Sequence, residues 1–326
     1  MRSNGTGQPA AKVTRQLRLL GMLAVLLVLG SVFTPVYAED PSAARQEDSG
    51  LQKMADSLLA FHANPQDVSP EAVQRALKTL GADPEHALPV LEQRGDAMVL
   101  ALQAAGPEAT PVLALYVHSE ETNLVRRAFY ALKSVGTPEG LPAYEQAITN
   151  RDAAVRSSAV LALRRAGPAA LQPALTACHD PKPTIRMQAY FTVGMLGEAA
   201  RAGVPELSER LDNDPFNRKV ILRVLSQVGG EAAVDPLLKV LLNGTPSEQQ
   251  SAAQALERMD PPARRAIPAL VKVLEQTDTP PVEEAAAEAL AKIAAEYPAD
   301  LAPFRDHPNE QVRQVIEKLA PLEPQP

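Results

Sequence analysis

The residues of this chain whose types suit charge-assisted contacts recur at intervals and do not gather at one point. Arginine follows a β-branched apolar residue at Val125-Arg126, Val155-Arg156, Ile185-Arg186 and Val312-Arg313. Asn217-Arg218 keeps the interval without the apolar residue, and Glu248-Gln249 lacks both. Aspartates stand upstream at Asp152, Asp180 and Asp306. An arginine beside a core position buries its stem, and its planar fork of donors reaches carboxylates and helix ends on adjacent turns. Arg126, Asp152, Arg156, Arg186, Arg218 and Arg313 are therefore read as one internal, structural ladder. The functional alternative is a row of arginines gripping an acidic ligand.

Residue types suited to catalysis are present but scattered. The five histidines are His62, His86, His118, His179 and His307, and none is followed by glutamate. His179 and His307 lie beside aspartate-containing turns, which suits metal binding by composition, but they are 128 residues apart. Glu120-Glu121 and Glu283-Glu284 are adjacent carboxylates that point to different faces of a helix. No nucleophile elbow, phosphate-binding loop, His-Glu-x-x-His or dinucleotide turn occurs, and Gly229-Gly230 reads as a helix-ending turn. Cys178 is the only cysteine, so an intramolecular disulfide is excluded. It reads as a small buried residue, since free cysteine is among the most buried types. No catalytic residue, metal or cofactor is expected.

Two rulers position these residues. Prolines recur at 111, 142, 173, 205, 236 and 268, at intervals of 31 or 32. Beside them run Gly106, Gly136, Gly167, Gly197, Gly229 and Asp260, at intervals of 30 to 32. A fixed period of this length marks stacked supersecondary units. Proline is tolerated in the first turn of a helix, where its missing N–H has no intrahelical partner. Each ruler proline therefore opens a second helix. Two residues later stand Leu113, Tyr144, Leu175, Leu207, Leu238 and Leu270, read as the core register between units. Between the rulers the apolar residues follow a helical period, as in Val155, Ala159, Ala162 and Leu163. Asp152 is expected to cap that helix and Ser69 to cap another before Pro70. Gly81 is expected to end the latter in a left-handed conformation. No strand pattern is sustained, so the fold is read as all-α: an α-solenoid of about eight stacked helical hairpins.

The Val-Arg pairs, their upstream aspartates and the downstream Gly and Pro-x-Leu resemble HEAT repeats in the short form shared with phycobilisome lyases. The resemblance covers residues 69–319 and is strongest over 121–275. It implies a helical superhelix with an internal Asp–Arg ladder. One enzymatic branch, the deoxyhypusine hydroxylases, holds iron through His-Glu dipeptides, which this sequence lacks; another, the bilin lyases, handles chromophores. These enzymes are the alternative to a non-enzymatic scaffold that binds a protein or peptide along its concave, second-helix face. Residues just past the core position would line that face: Glu145, Gln146, Thr176, Ser208, Glu209, Lys239 and Lys272.

The N-terminal region has a different character. Arg2, Lys12, Arg15 and Arg18 precede an apolar or small run over residues 19–33, and Val36-Tyr37-Ala38 supplies a cleavage pattern. Residues 1–38 are therefore expected to be a signal peptide, or an uncleaved membrane anchor, placing the body in the periplasm or cell envelope. Residues 39–50 read as a polar linker, 51–320 as the solenoid and 321–326 as a proline-rich tail. Without residues 1–38 the chain has 28 Lys and Arg against 39 Asp and Glu, a net charge of −11. That balance disfavours nucleic acid and anionic membrane surfaces, where binding rests on basic residues. Contact with a membrane is expected only through the N-terminal segment, if it is retained. Aromatic residues make up 4% and tryptophan is absent, so Ala, Leu and Val must build the core.

Overall fold

A computed structural model describes residues 41–259 and 263–319. The expected leader, its cleavage site, Asp260 and the tail lie outside the described residues. The chain divides into a unit ending at Glu47 and a second unit, Asp48–Pro326. The described part of the first is the opening of helix α1 (Pro41–Ala63). The polar stretch read as a linker is thus helical from Pro41, because Ser-Ala-Ala-Arg-Gln-Glu after an N-terminal proline favours helix.

The second unit is a stack of helices, and no strand occurs among the described residues. After α1 come α2 (Pro70–Ala82), α3 (Pro84–Gln93) and α4 (Gly95–Ala105), then α5 (Thr110–Ala114), α6 (Thr122–Val135) and α7 (Leu141–Ala147). The regular core continues with α8 (Ala153–Leu163), α9 (Leu171–Ala177), α10 (Pro183–Met195), α11 (Val204–Asn213), α12 (Arg218–Val228) and α13 (Val234–Asn243). Helices α14 (Pro246–Arg258), α15 (Ile267–Gln276), α16 (Pro280–Glu296) and α17 (Glu310–Leu319) complete it. The even-numbered helices α4 to α14 are the first helices of the units, and α5 to α15 the second. Each first helix packs along the next first helix, and each second helix packs chiefly on the first helix of the following unit. The architecture is an all-α solenoid.

Each ruler proline stands at the second or third residue of a second helix. A 3-10 turn immediately precedes every one of these helices, as at Gly167–Ala170 and Glu231–Ala233. Gly106 and Gly229 cap first helices and Gly167 and Gly197 open the 3-10 turns that follow them; their φ values of 88°, 66°, 60° and 53° are open to glycine at little cost. Gly136 has φ −58° and is small for another reason. A Cβ there would lie 2.4 Å from the Tyr144 hydroxyl oxygen. Gly81 departs from expectation: it lies inside α2, which runs to Ala82, where Asp83 and Pro84 open the next helix. Ser69 caps α2 as expected, accepting from the Ala72 amide at 3.3 Å.

The core register follows the helix, not the proline. The fourth residue of every second helix is fully buried: Leu113, Tyr144, Ala174, Leu207, Leu237 and Leu270, each at 0% exposure. Where proline is the second residue, the fourth is two positions on, as the sequence suggests. Pro173 and Pro236 are third residues, so there the fully buried position falls one residue after proline, although Leu175 stays in the core as expected. Leu238 is accordingly only partly buried and Leu237 takes its place.

Candidate functional site

The arginines at the starts of the first helices join each unit to the next. Arg126 Nη2 donates to Asp152 Oδ2 at 2.8 Å, while Asp152 Oδ1 accepts from the Ala154 and Val155 amides and caps α8. Arg156 repeats the contact with two donors, to Asp180 at 2.6 and 3.2 Å, and Arg186 grips Asp214 at 2.6 and 2.9 Å. Each also turns back to its own preceding loop: Arg156 to the carbonyl of Asn150 at 2.9 Å, Arg186 to that of Asp180 at 2.9 Å. One guanidinium therefore ties the loop before its helix to the carboxylate that opens the next.

Arg218 keeps the arrangement where the local pattern is broken. It bonds the Leu211 carbonyl at 2.7 Å and Glu248 at 2.9 Å. Glu248 is the third residue of α14 and forms a capping box with Thr245. The Thr-x-x-Glu signature was available in the sequence, but reading the pair at 248–249 for arginine hid it. Asp214 was missed as well, although Asp214-Pro215 repeats Asp180-Pro181. Arg313, with no following unit among the described residues, bonds the His307 and Pro308 carbonyls and Glu310 beside it. Asp306, the upstream aspartate expected there, is not its partner.

Asp214 is the most enclosed of these groups, with a side chain at 0% exposure. Besides Arg186 it accepts from Asn217 Nδ2 and the Tyr190 hydroxyl, each at 3.0 Å. Arg210 donates to the Tyr190 oxygen at 3.2 Å from the other side. Burial works to raise the Asp214 pKa, but these hydrogen bonds outweigh it and hold the carboxyl well below its ordinary value. The chemistry of the ladder is internal satisfaction, since its donors are spent on backbone and carboxylates.

The second-helix row has a different character. Gln146, Thr176, Glu209, Lys239 and Lys272 are each the sixth residue of their helix, two beyond the buried fourth, and all are exposed, as is Glu145. Ser208 is half-buried, and its hydroxyl donates to the Val204 carbonyl at 2.7 Å. Lys239 reaches sideways to both oxygens of Asp212 on the preceding second helix, at 2.7 and 2.9 Å. A groove of about 310 Å³ beside this row includes Thr176 and His179, and the Arg156–Asp180 pair forms one of its walls.

The residues considered for chemistry do not meet. His179 pairs with Glu206 at 2.5 Å, and His307 lies at the start of α17. Among the described residues no three His, Cys, Asp or Glu side chains form a metal-holding group. Cys178 is buried, and its burial pushes the thiol pKa up, away from the thiolate. Among the described residues no helix is long and apolar enough to cross a membrane.

Fold and ladder together define a helical-repeat protein. The family model for HEAT repeats matches residues 171–257 and 235–320, so this stretch of the chain carries HEAT repeats. No curated protein matches it in sequence. Among solved structures it is similar to an engineered protein, at 17% identity and TM-score 0.42, covering 86% of this chain and 95% of that one. Human deoxyhypusine hydroxylase is similar at 20% identity and TM-score 0.30, covering 86% and 98%. The complex of CpcE and CpcF of phycocyanin lyase from Nostoc is similar at 17% identity and TM-score 0.36, covering 73% and 94%.

Proposed function

We propose that this chain is a non-enzymatic scaffold or adaptor that binds a protein or peptide along its second-helix face, outside the cytoplasm in the periplasm or envelope. One observation supports the binding reading above others. The sixth residue of successive second helices forms an exposed row, one residue per unit, backed by a fully buried fourth position. A stack of this kind offers an extended surface whose side chains vary without disturbing the core. The row is acidic at Glu145 and Glu209 and basic at Lys239 and Lys272, which suits a partner of the opposite polarity. The extracytoplasmic setting rests on the basic and apolar pattern of residues 1–38.

The test is crosslinked capture from the native envelope with Lys239→Glu/Lys272→Glu beside the wild type. The reversal is expected to reduce capture, more at low salt than at high, because exposed charges are screened over about 8–10 Å at physiological ionic strength. Thermal unfolding should stay within about 0.5 kcal/mol of wild type, as surface substitutions do. Capture unchanged at both salt concentrations removes this face from the reading. Mass measurement of the captured chain is expected to show a start at Glu39; an intact N-terminus would establish a retained anchor.

A further inference from the structure

The first helices carry a second surface of opposite character. Helices α6, α8, α10 and α12 together contain eight Arg and Lys residues and no Asp or Glu. The whole chain is acidic, at −7. Glu206, Glu209 and Asp212 stand on α11 and Asp235 on α13, while among the first helices α4 carries Asp96 and α14 carries Glu248 and Glu257. Of the eight basic residues, Arg126, Arg156, Arg186 and Arg218 belong to the ladder and Arg127 pairs with Asp96 on α4, so Lys133 and Arg223 supply the charge of this face.

An apolar row runs through the basic layer. Leu100 is 48% exposed, Tyr130 61% and Met195 65%, and Leu161 and Phe191 are half-buried. Leu100, Tyr130, Leu161 and Phe191 are spaced by 30, 31 and 30 residues, one on each of α4, α6, α8 and α10. Contacts between neighbouring helices fix their alignment. Arg127 bridges to Asp96 at 3.0 Å and Gln103 to Ser134 at 3.4 Å, bracketing Leu100 and Tyr130. Ser157 bonds Gln188 at 2.8 Å and Arg164 bonds Thr192 at 3.3 Å, bracketing Leu161 and Phe191. Lys133 stands over the Tyr130 ring at 4.6 Å. The next equivalent position, 32 residues after Phe191, is the exposed Arg223. The row therefore runs across four helices and ends in a cation.

We infer that this face docks an acidic amphipathic helix laid across α4, α6, α8 and α10. Packed helices lie about 8–10 Å apart, so the four apolar side chains recur at about that interval. Seven residues of a helix advance about 10.5 Å. A single apolar residue per heptad, repeated four times over about 22 residues, meets the row in register. Carboxylates on its flanks then meet Lys133 and Arg223, which gives the site its charge preference. This surface is separate from the second-helix row and stands or falls without it.

The probe is a labelled 22-residue peptide with leucine once per heptad among Glu, Ala and Gln, titrated into the purified chain and read by anisotropy. A peptide of the same composition with its leucines scattered is the control. Saturable binding is expected for the heptad peptide, at least tenfold tighter than for the control, and weakening as salt is raised. Tyr130→Ser/Phe191→Ser and, separately, Lys133→Glu/Arg223→Glu should each weaken it about tenfold. Lys239→Glu/Lys272→Glu should leave it unchanged, which separates this surface from the second-helix row. The charge-reversed pair touches exposed residues only, so it reports even if the apolar pair unfolds. Equal binding of the two peptides, or no effect of the charge reversal, overturns the proposal. So does a preference for vesicles rich in anionic lipid, or a wild-type dimer in sedimentation that Tyr130→Ser alone dissolves.

Discussion

At the scale of single residues, enclosure decides which contacts matter. Asp152 and Asp214 occupy equivalent rungs, but the Asp152 side chain is 27% exposed and Asp214 is fully enclosed. Removing a half-exposed cap costs about 0.5–2 kcal/mol. Removing one partner of a buried, hydrogen-bonded ion pair costs about 3–5 kcal/mol, because the other charge is left stranded. Asp214→Ala is therefore expected to destabilise the chain more than Asp152→Ala in urea denaturation. The pH dependence has a definite sign. The Asp214 carboxyl is held below its ordinary value of 3.8, so its contribution is fully present above that pH and is lost as pH falls toward the depressed native value. The stability gap between wild type and Asp214→Asn should be full at pH 6 and narrow below 3.8. A gap constant down to pH 2.5 would show that Asp214 is not held ionised by the fold. The arginines of the ladder were legible from their spacing; Asp214 and Glu248 carried local signals, Asp-Pro and Thr-x-x-Glu, but not their pairing with a particular arginine. Their role depends on which carboxylate the next loop brings under the guanidinium, and the loops differ in length.

At the scale of elements, the second helix shows how a sequence ruler drifts. Proline is permitted anywhere in the first turn, so it marks a helix start only to within a residue. One residue turns a helix by about 100°. A proline at the third position therefore moves the buried side from Leu238 to Leu237. Leu237→Ala is expected to cost about 2–5 kcal/mol, as deletions of buried leucine do, and Leu238→Ala distinctly less. Equal losses in the two variants, measured by chemical denaturation, would return the core register to the proline. Gly136 shows a related limit. It lay on the glycine ruler as a helix terminator, yet it must be small because the Leu132 carbonyl and the Tyr144 hydroxyl occupy the space a side chain would need.

At the scale of the whole stack, contacts run between neighbours, so stability is expected to be local. In Leu237→Ala, native-state amide exchange should accelerate first in α12 to α15 and leave α6 to α9 near wild type. Uniform acceleration along residues 95–276 would indicate one cooperative block. The repeat, the all-helical class and the arginine ladder were determined by the sequence itself, because a period of 31 residues and proline's missing N–H act locally and survive any arrangement of the units. The buried register on α13, the enclosure of Asp214 and the lateral bond from Lys239 to Asp212 were decided only by the tertiary structure. So was the alignment of Leu100, Tyr130, Leu161 and Phe191. Each depends on which turn of one helix faces which turn of the next, and that is settled by side chains some 30 residues apart meeting across the stack.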